Sequence, residues 1–248
     1  MLGIAEKALP AAEQFLLARF FMHRTVYYHK TTFGMEEVCR QLFRRLRDQR
    51  KYGIPTDGAG IKKLVESQDL YTFTDAYVDQ IVQKAADDDS NNDVIRALAK
   101  SIQKRQPPKL LKEVNILRPT MEKNGYHAGT IFKMNCGHEL AQLAKDANIP
   151  LEQFVICETP PLTLEKRGPL IPAQEAPNMD WKEEEELIKV FVSNEDEPKS
   201  LVDIPYSLLS RCGGLFFQSF RLYIVCEETP AKVTVEEMKK RVMTWDKP

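Results

Sequence analysis

No part of this 248-residue sequence is apolar enough to cross a bilayer, which takes about 20 consecutive apolar residues. The first residues, Met1-Leu2-Gly3-Ile4-Ala5-Glu6, lack the charged-then-apolar order of a signal peptide, so a cytoplasmic protein without membrane partners is expected. A charge excess is missing too. Lys and Arg total 35 against 36 for Asp and Glu, and the net charge of -1 sets up no global field toward nucleic acid or membrane. Any anion site must therefore be local. Cysteine is sparse: Cys39, Cys136, Cys157, Cys212 and Cys226 form no CxxC pair, which suits reduced thiols rather than a disulfide framework. Cys136 and His138 would supply two of the four ligands that zinc takes, with no second pair at ligand spacing nearby. The phosphate-binding loop, the Gly-x-Ser-x-Gly elbow and the His-Glu-x-x-His helix are absent. Cys39 and Cys212 have no neighbouring histidine, and Lys239-Lys240-Arg241 is too short a basic face to argue nucleic-acid binding.

What is present suffices for a folded core, with 43% hydrophobic residues. From Ala11 to Arg50 there is no proline and one glycine, Gly34, so the pattern predicts one long helix bent at that glycine, with Pro10 in its first turn. Lys51 to Gly60 is rich in turn residues and ends the strut. Thr74 is placed to cap a helix through Ala86, and Val94, Ile95, Leu98 and Ile102 keep helical spacing up to Pro107-Pro108, giving a helical hairpin over 74–106. The run from Asp87 to Asn92 between them reads as a solvated turn. After about Arg118 short β-rich runs alternate with helical ones. Phe154–Cys157, Leu187–Val192 and Phe220–Cys226 read as strands, and Glu139–Asn148, Tyr206–Arg211 and Val235–Thr244 as helices. Thr159–Pro177 carries five of the 15 prolines and should be extended. The acidic run Glu183–Glu186 reads as a solvated edge and Gly213-Gly214 as a turn. The expected class is α+β: a helical portion over 1–118, then a small α+β lobe over 119–248.

One helical stretch stands apart. Arg19, His23 and Tyr27 recur every four residues and stack along one face, with Lys30 inside the same arc of about 80° at 100° per residue. Leu16 and Phe20 flank this polar line. A guanidinium can grip phosphate oxygens, an imidazole can donate to phosphate or orient water, and a phenol can pack on a sugar. Spacing alone leaves a plainer account open: Arg19 paired with Glu13, His23 a satisfied core residue, and Tyr27 simply packed.

The run from Ala18 to Lys30, Arg-Phe-Phe-Met-His-Arg-Thr-Val-Tyr-Tyr-His-Lys after its alanine, resembles the Arg-x3-His-x3-Tyr-x-His-Lys helix of HD-domain deoxynucleoside triphosphate triphosphohydrolases. The similarity extends more weakly through Phe73-Thr74-Asp75 and Ile102–Leu110, and into the lobe ending near Cys226. The resemblance implies that Arg19 contacts a substrate triphosphate, that His23 lies near the scissile phosphate and sugar as the candidate catalytic residue, and that Tyr27 packs on the deoxyribose. It further implies that His29, Lys30, Arg105 and Lys109 reach an effector nucleotide at a subunit interface. For Arg105 and Lys109 the alternative is a pair of cations offsetting a helix dipole. Deoxynucleoside triphosphates are the expected partners, with homo-oligomers or assembly with an HD half.

Family chemistry needs a His, a His-Asp pair and a later Asp on one metal ion, Mg²⁺ or Mn²⁺ or another divalent cation in a complete enzyme. The four histidines here are followed by Arg24, Lys30, Ala128 and Glu139, so no His-Asp dipeptide occurs. Only 18 residues precede Arg19, and the metal half is expected outside this chain, which supplies no metal ligands of its own. Three functional readings follow: the C-terminal portion of such a hydrolase; a non-catalytic nucleotide-binding or oligomerisation module that regulates a full-length relative; or a scaffold whose motif merely packs.

Overall fold

The structure, a computed structural model, describes residues 3–55, 57–119, 125–164, 188–193, 197–212, 215–225 and 233–245. The stretch expected as one strut bent at Gly34 is two helices. Strand β1 (Gly3–Ala5) and a short 3-10 turn lead into α1 (Leu9–Met22), which takes Pro10 in its first turn because that N–H has no helical partner anyway. His23–Tyr27 then winds as a π-helix, Tyr28 leaves helical geometry at φ -98° and ψ 22°, and α2 (Lys30–Asp48) begins. The break therefore falls at Tyr28 and His29. Gly34 is buried inside α2, where an added Cβ would meet Pro108 Cγ at 3.0 Å and Tyr223 Cε1 at 3.1 Å. Its role is close packing, not bending.

Helix α3 (Gly58–Glu66) starts where the glycines suggested only turn, because Asp57 accepts the Gly60 N–H at 2.7 Å and caps it. Helices α4 (Asp75–Asp87) and α5 (Asp93–Gln103) form the expected hairpin. Thr74 holds the α4 cap position without a side-chain bond, while Asn92 caps α5 through the Ile95 N–H at 2.9 Å. The acidic run between them is a turn, but a tied one. Asp88 accepts from Tyr52 Oη at 2.7 Å and from the Ser90 N–H at 2.9 Å, and buried Asn91 donates to the Ala85 carbonyl at 3.0 Å.

Four of these helices end on a residue with positive φ that is not glycine: Arg50 at 51°, Gln68 at 61°, Arg105 at 53° and Asn148 at 56°. In each case the next amide bonds back five residues, as Lys51 does to Leu46 and Gln106 to Ser101. A side chain in that conformation costs about 1–2 kcal/mol relative to glycine.

The remaining elements are β2 (Lys109–Pro119), α6 (Gly125–Ala147), β3 (Phe154–Glu158), β4 (Lys189–Phe191), β5 (Lys199–Ser200), β6 (Leu215–Ile224) and α7 (Val235–Met243). One sheet has the order β1-β4-β5, with β1 parallel to β4 (Ile4 opposite Val190) and β5 antiparallel to it; the other has the order β2-β6-β3. Helices dominate the first half beside these small sheets, which makes the class α+β. Strand β2 was not expected, since Lys109, Lys112 and Glu113 break its apolar pattern. Their charges find partners: Lys112 donates to the Trp245 carbonyl at 2.8 Å and Glu113 accepts from Arg221 Nε at 2.7 Å. β6 begins at Leu215 rather than Phe220. Helix α6 begins at Gly125 rather than Glu139, its buried stripe running through Phe132, Cys136, Leu140 and Leu143. Only Leu208–Arg211 of the expected Tyr206–Arg211 helix is helical, as a 3-10 turn. Leu187, Gly213-Gly214, Cys226, Glu183–Glu186 and the proline-rich stretch beyond Leu164 lie outside the described residues.

Contacts divide the chain into two units. The first comprises Met1–His29, Val114–Thr130 and Glu158–Phe220; the second comprises Lys30–Glu113, Ile131–Cys157 and Arg221–Pro248. In the first unit Leu9 and Leu16 of α1 pack into a core with Leu164, Val190, Leu201, Ile204 and Leu209. In the second, α5 packs on both α2 and α4 and fully buries Leu42, Leu46, Ile95 and Leu98. No described helix is long and apolar enough to cross a membrane.

Candidate functional site

The polar line of α1 belongs to the first unit, and its geometry follows from how the helix winds. Arg19 and His23 are one α-helical turn apart. At His23 the winding loosens, and the Tyr28 N–H reaches the His23 carbonyl at 2.8 Å, the five-residue spacing of a π-helix. The loosened turn keeps the rings of His23 and Tyr27 stacked, their centroids 4.8 Å apart and tilted by 37°. The Tyr28 ring is also near His23, at 6.1 Å between centroids. Arg19 and His23 are half-buried, and Tyr27 is 53% exposed.

Arg19 does not pair with Glu13. The Glu13 carboxylate is buried and accepts from Ser207 Oγ at 2.6 Å and from the Leu208 N–H at 2.8 Å. Arg19 instead makes one long bond, from Nη1 to the Leu164 carbonyl at 3.5 Å, so among the described residues most of its five donors have no hydrogen-bond partner. Arg24, one residue past His23, lies with its guanidinium carbon 4.6 Å over the Phe217 ring, and Phe20 meets the same ring edge-on at 6.3 Å. That cation-aromatic contact fixes the outer side of the π-helix and was not read from the sequence. Its signal, an arginine beside a distant phenylalanine, has no fixed spacing.

The structure brings together Arg19, His23 and Tyr27. The other four candidates are distributed differently: His29 closes the first unit's helical segment, whereas Lys30, Arg105 and Lys109 belong to the second unit. All four are exposed. Arg105 occupies the strained position after α5, and Lys109 opens β2.

Among the described residues, no three His, Cys, Asp or Glu side chains converge in the manner of a metal site. Among the described residues, Cys39, Cys136, Cys157 and Cys212 form no disulfide. Burial pushes the Cys136 thiol up to about 11, and burial followed by the nearby Glu36 charge raises that of Cys39. Neither is a thiolate at neutral pH. On α7, the basic run is partly neutralised, with Lys239 paired to Glu236 and Arg241 to Asp146.

Fold and stripe together define an α+β protein in which the end of α1 and the π-helix after it bring a guanidinium, an imidazole and a phenol together. The family is then shown by the sequence itself: residues 1–162 match the family described as the HD associated region, and the chain belongs to it. Among solved structures it is similar to a phosphohydrolase from Bacteroides thetaiotaomicron, with a TM-score of 0.51 and 13% identity, over 89% of this chain and 51% of that one. The chain thus spans about half the length of that relative. No curated protein matches it.

Proposed function

We propose that this chain is the C-terminal portion of a deoxynucleoside triphosphate triphosphohydrolase and contributes the helix that faces the substrate's phosphates and sugar. The observation that carries this reading is the stripe of Arg19, His23 and Tyr27, in which the His23 and Tyr27 rings meet and the Arg19 donors are largely unengaged by the described residues. In this reading Arg19 binds the triphosphate through charge-assisted hydrogen bonds. His23, one turn along, donates to the scissile phosphate, and Tyr27 lies flat against the deoxyribose, where a 2′-hydroxyl would collide. His29, Lys30, Arg105 and Lys109 serve an effector nucleotide at a subunit interface.

The divalent metal of such an enzyme would activate water or polarise phosphate. The described residues offer no ligand set for it, so that step belongs to a half carried elsewhere. Two features support a portion rather than a whole: the chain matches half of the phosphohydrolase, and α1 exposes Phe15, Phe21 and Met22 on the side away from its core.

The missing His-Asp dipeptide favours a second reading, a non-catalytic module that binds nucleotide and regulates a full-length relative. Incubation of the purified chain with each deoxynucleoside triphosphate and Mn²⁺ or Mg²⁺ separates the two. Triphosphate release lost in His23→Ala would exclude the non-catalytic module; binding without release, weakened in Arg19→Ala, would support it. Absence of binding at millimolar nucleotide would remove both.

A further inference from the structure

The second unit holds a cavity of about 380 Å³, within the usual range for small-molecule sites of roughly 300–1,000 Å³. No residue of α1 lines it. Its walls come from the end of α2, the loop into α3, α3 itself and the start of α4. Arg47, Arg50 and Lys51 enter from the α2 end, Lys63 from α3, and Phe73 and Tyr77 from the approach to α4.

Four cations face a single lining carboxylate, Asp57, and that carboxylate is engaged in capping α3 through the Gly60 N–H. Lys51 turns its ammonium to Asp88, Ser90 and Asn91, and Arg47 lies against Asp48 at 3.0 Å. Arg50 and Lys63 form no ion pair among the described residues. The cavity therefore has uncompensated positive charge in a chain whose net charge is -1. The lining also includes two aromatic rings, Phe73 and Tyr77, with centroids 5.6 Å apart and Phe73 42% exposed. Arg50 also occupies a backbone position, φ 51°, that glycine would fill at lower cost.

We infer that this cavity is a binding site for a nucleoside polyphosphate. Arg47, Arg50 and Lys63 take the phosphates, the guanidiniums by paired hydrogen bonds and the ammonium as a point charge. Phe73 and Tyr77 take the base on their flat faces, a contact that tolerates any base. The chain has no overall positive field, which suits a mononucleotide better than a nucleic-acid strand.

The test titrates the full chain by calorimetry with ATP, with tripolyphosphate and with adenosine, in an Arg19→Ala background that weakens any binding at α1. ATP should bind more tightly than tripolyphosphate, and adenosine weakest. Arg50→Gly should weaken ATP about tenfold or more, the loss expected for a charge-assisted contact, while the melting temperature holds or rises because the backbone is relieved. Lys63→Gln should act alike, and Phe73→Ala should weaken ATP but not tripolyphosphate. In the unmutated chain, ATP should protect Lys63 from acylation and leave Lys62 reactive, a readout that needs no variant to fold. Full ATP affinity in Arg50→Gly and Lys63→Gln would overturn the assignment, as would millimolar ATP giving neither heat nor protection. A single-stranded oligonucleotide that binds more tightly than ATP and is lost in the same variants would overturn it in favour of nucleic acid.

Discussion

Helix α2 hides Phe33, Val38, Leu42 and Leu46 and turns its arginines outward, whereas α1, the helix before it, leaves Phe15 67% exposed and Phe21 51% exposed while Leu9 and Leu16 are buried. The first is an ordinary amphipathic helix whose one apolar face is covered. The second is apolar on nearly all sides, the composition of a helix packed on more than one side. The difference separates a helix whose apolar face is covered from one that leaves apolar surface open, and large open apolar surface is a feature of contact sites. The polar stripe of Arg19, His23 and Tyr27 runs beside that exposed surface, as the proposed half-site requires.

The largest expected effect breaks the covered side of this comparison. Leu98→Ala, fully buried between helices, should lose about 2–5 kcal/mol in a denaturant titration. On the open side, Phe15→Ser should change stability by no more than about 0.5 kcal/mol and should reduce self-association in light scattering. A Phe15→Ser loss as large as that of Leu98→Ala would mean that α1 is covered after all.

Gly34→Ala asks whether α2 bends or packs. A hinge glycine would be stabilised by alanine, by about 0.5–1 kcal/mol on helix propensity. Because the new methyl would press on Pro108 and Tyr223, overpacking should win and cost about 1–3 kcal/mol, measured as a lowered denaturation midpoint.

Asp88 joins the α2 end to the α4–α5 turn, and its carboxyl is held well below the usual carboxylate range by hydrogen bonds from Ser90, then Tyr52, with Lys51 adding a smaller charge effect. Its folded value lies below the unfolded value of about 3.9, so its contribution is fully present above about pH 4 and is lost as pH falls through the folded value. In that window the unfolded chain binds the extra proton. Asp88→Asn should flatten the acid limb of a stability-against-pH curve and leave the neutral plateau with the same slope. The smallest expected effect is Arg105→Gly, which relieves the left-handed residue after α5 and should be neutral or stabilising by about 1 kcal/mol in thermal melts.

The sequence was most legible where periodicity and caps agreed. The α4–α5 hairpin was readable because the placement of Thr74 and the helical spacing of Val94, Ile95, Leu98 and Ile102 pointed the same way, while the caps Asn92 and Thr234 emerged only in the structure. The misplaced bend shows the limit. Gly34 looked like a hinge because contacts with Pro108 and Tyr223, far along the chain, are invisible to local pattern. The π-helix at His23–Tyr27 has no sequence signature of its own, yet it sets the ring contact on which the site reading depends. β2 was hidden by charges whose partners, Trp245 and Arg221, lie more than a hundred residues away. The basic cavity was missed for the same reason: Arg50, Lys63 and Phe73 share no periodicity and meet only through the fold.

The most direct test of the central claim is calorimetric titration of the 248-residue chain with deoxynucleoside triphosphates, comparing the parent with Arg19→Ala and Tyr27→Ala in an Arg50→Gly background that weakens the second cavity. The stripe predicts binding that falls about tenfold or more in Arg19→Ala, as expected for a lost charge-assisted contact, and falls again in Tyr27→Ala. Equal affinity in all three proteins, or no binding at millimolar nucleotide, would contradict it.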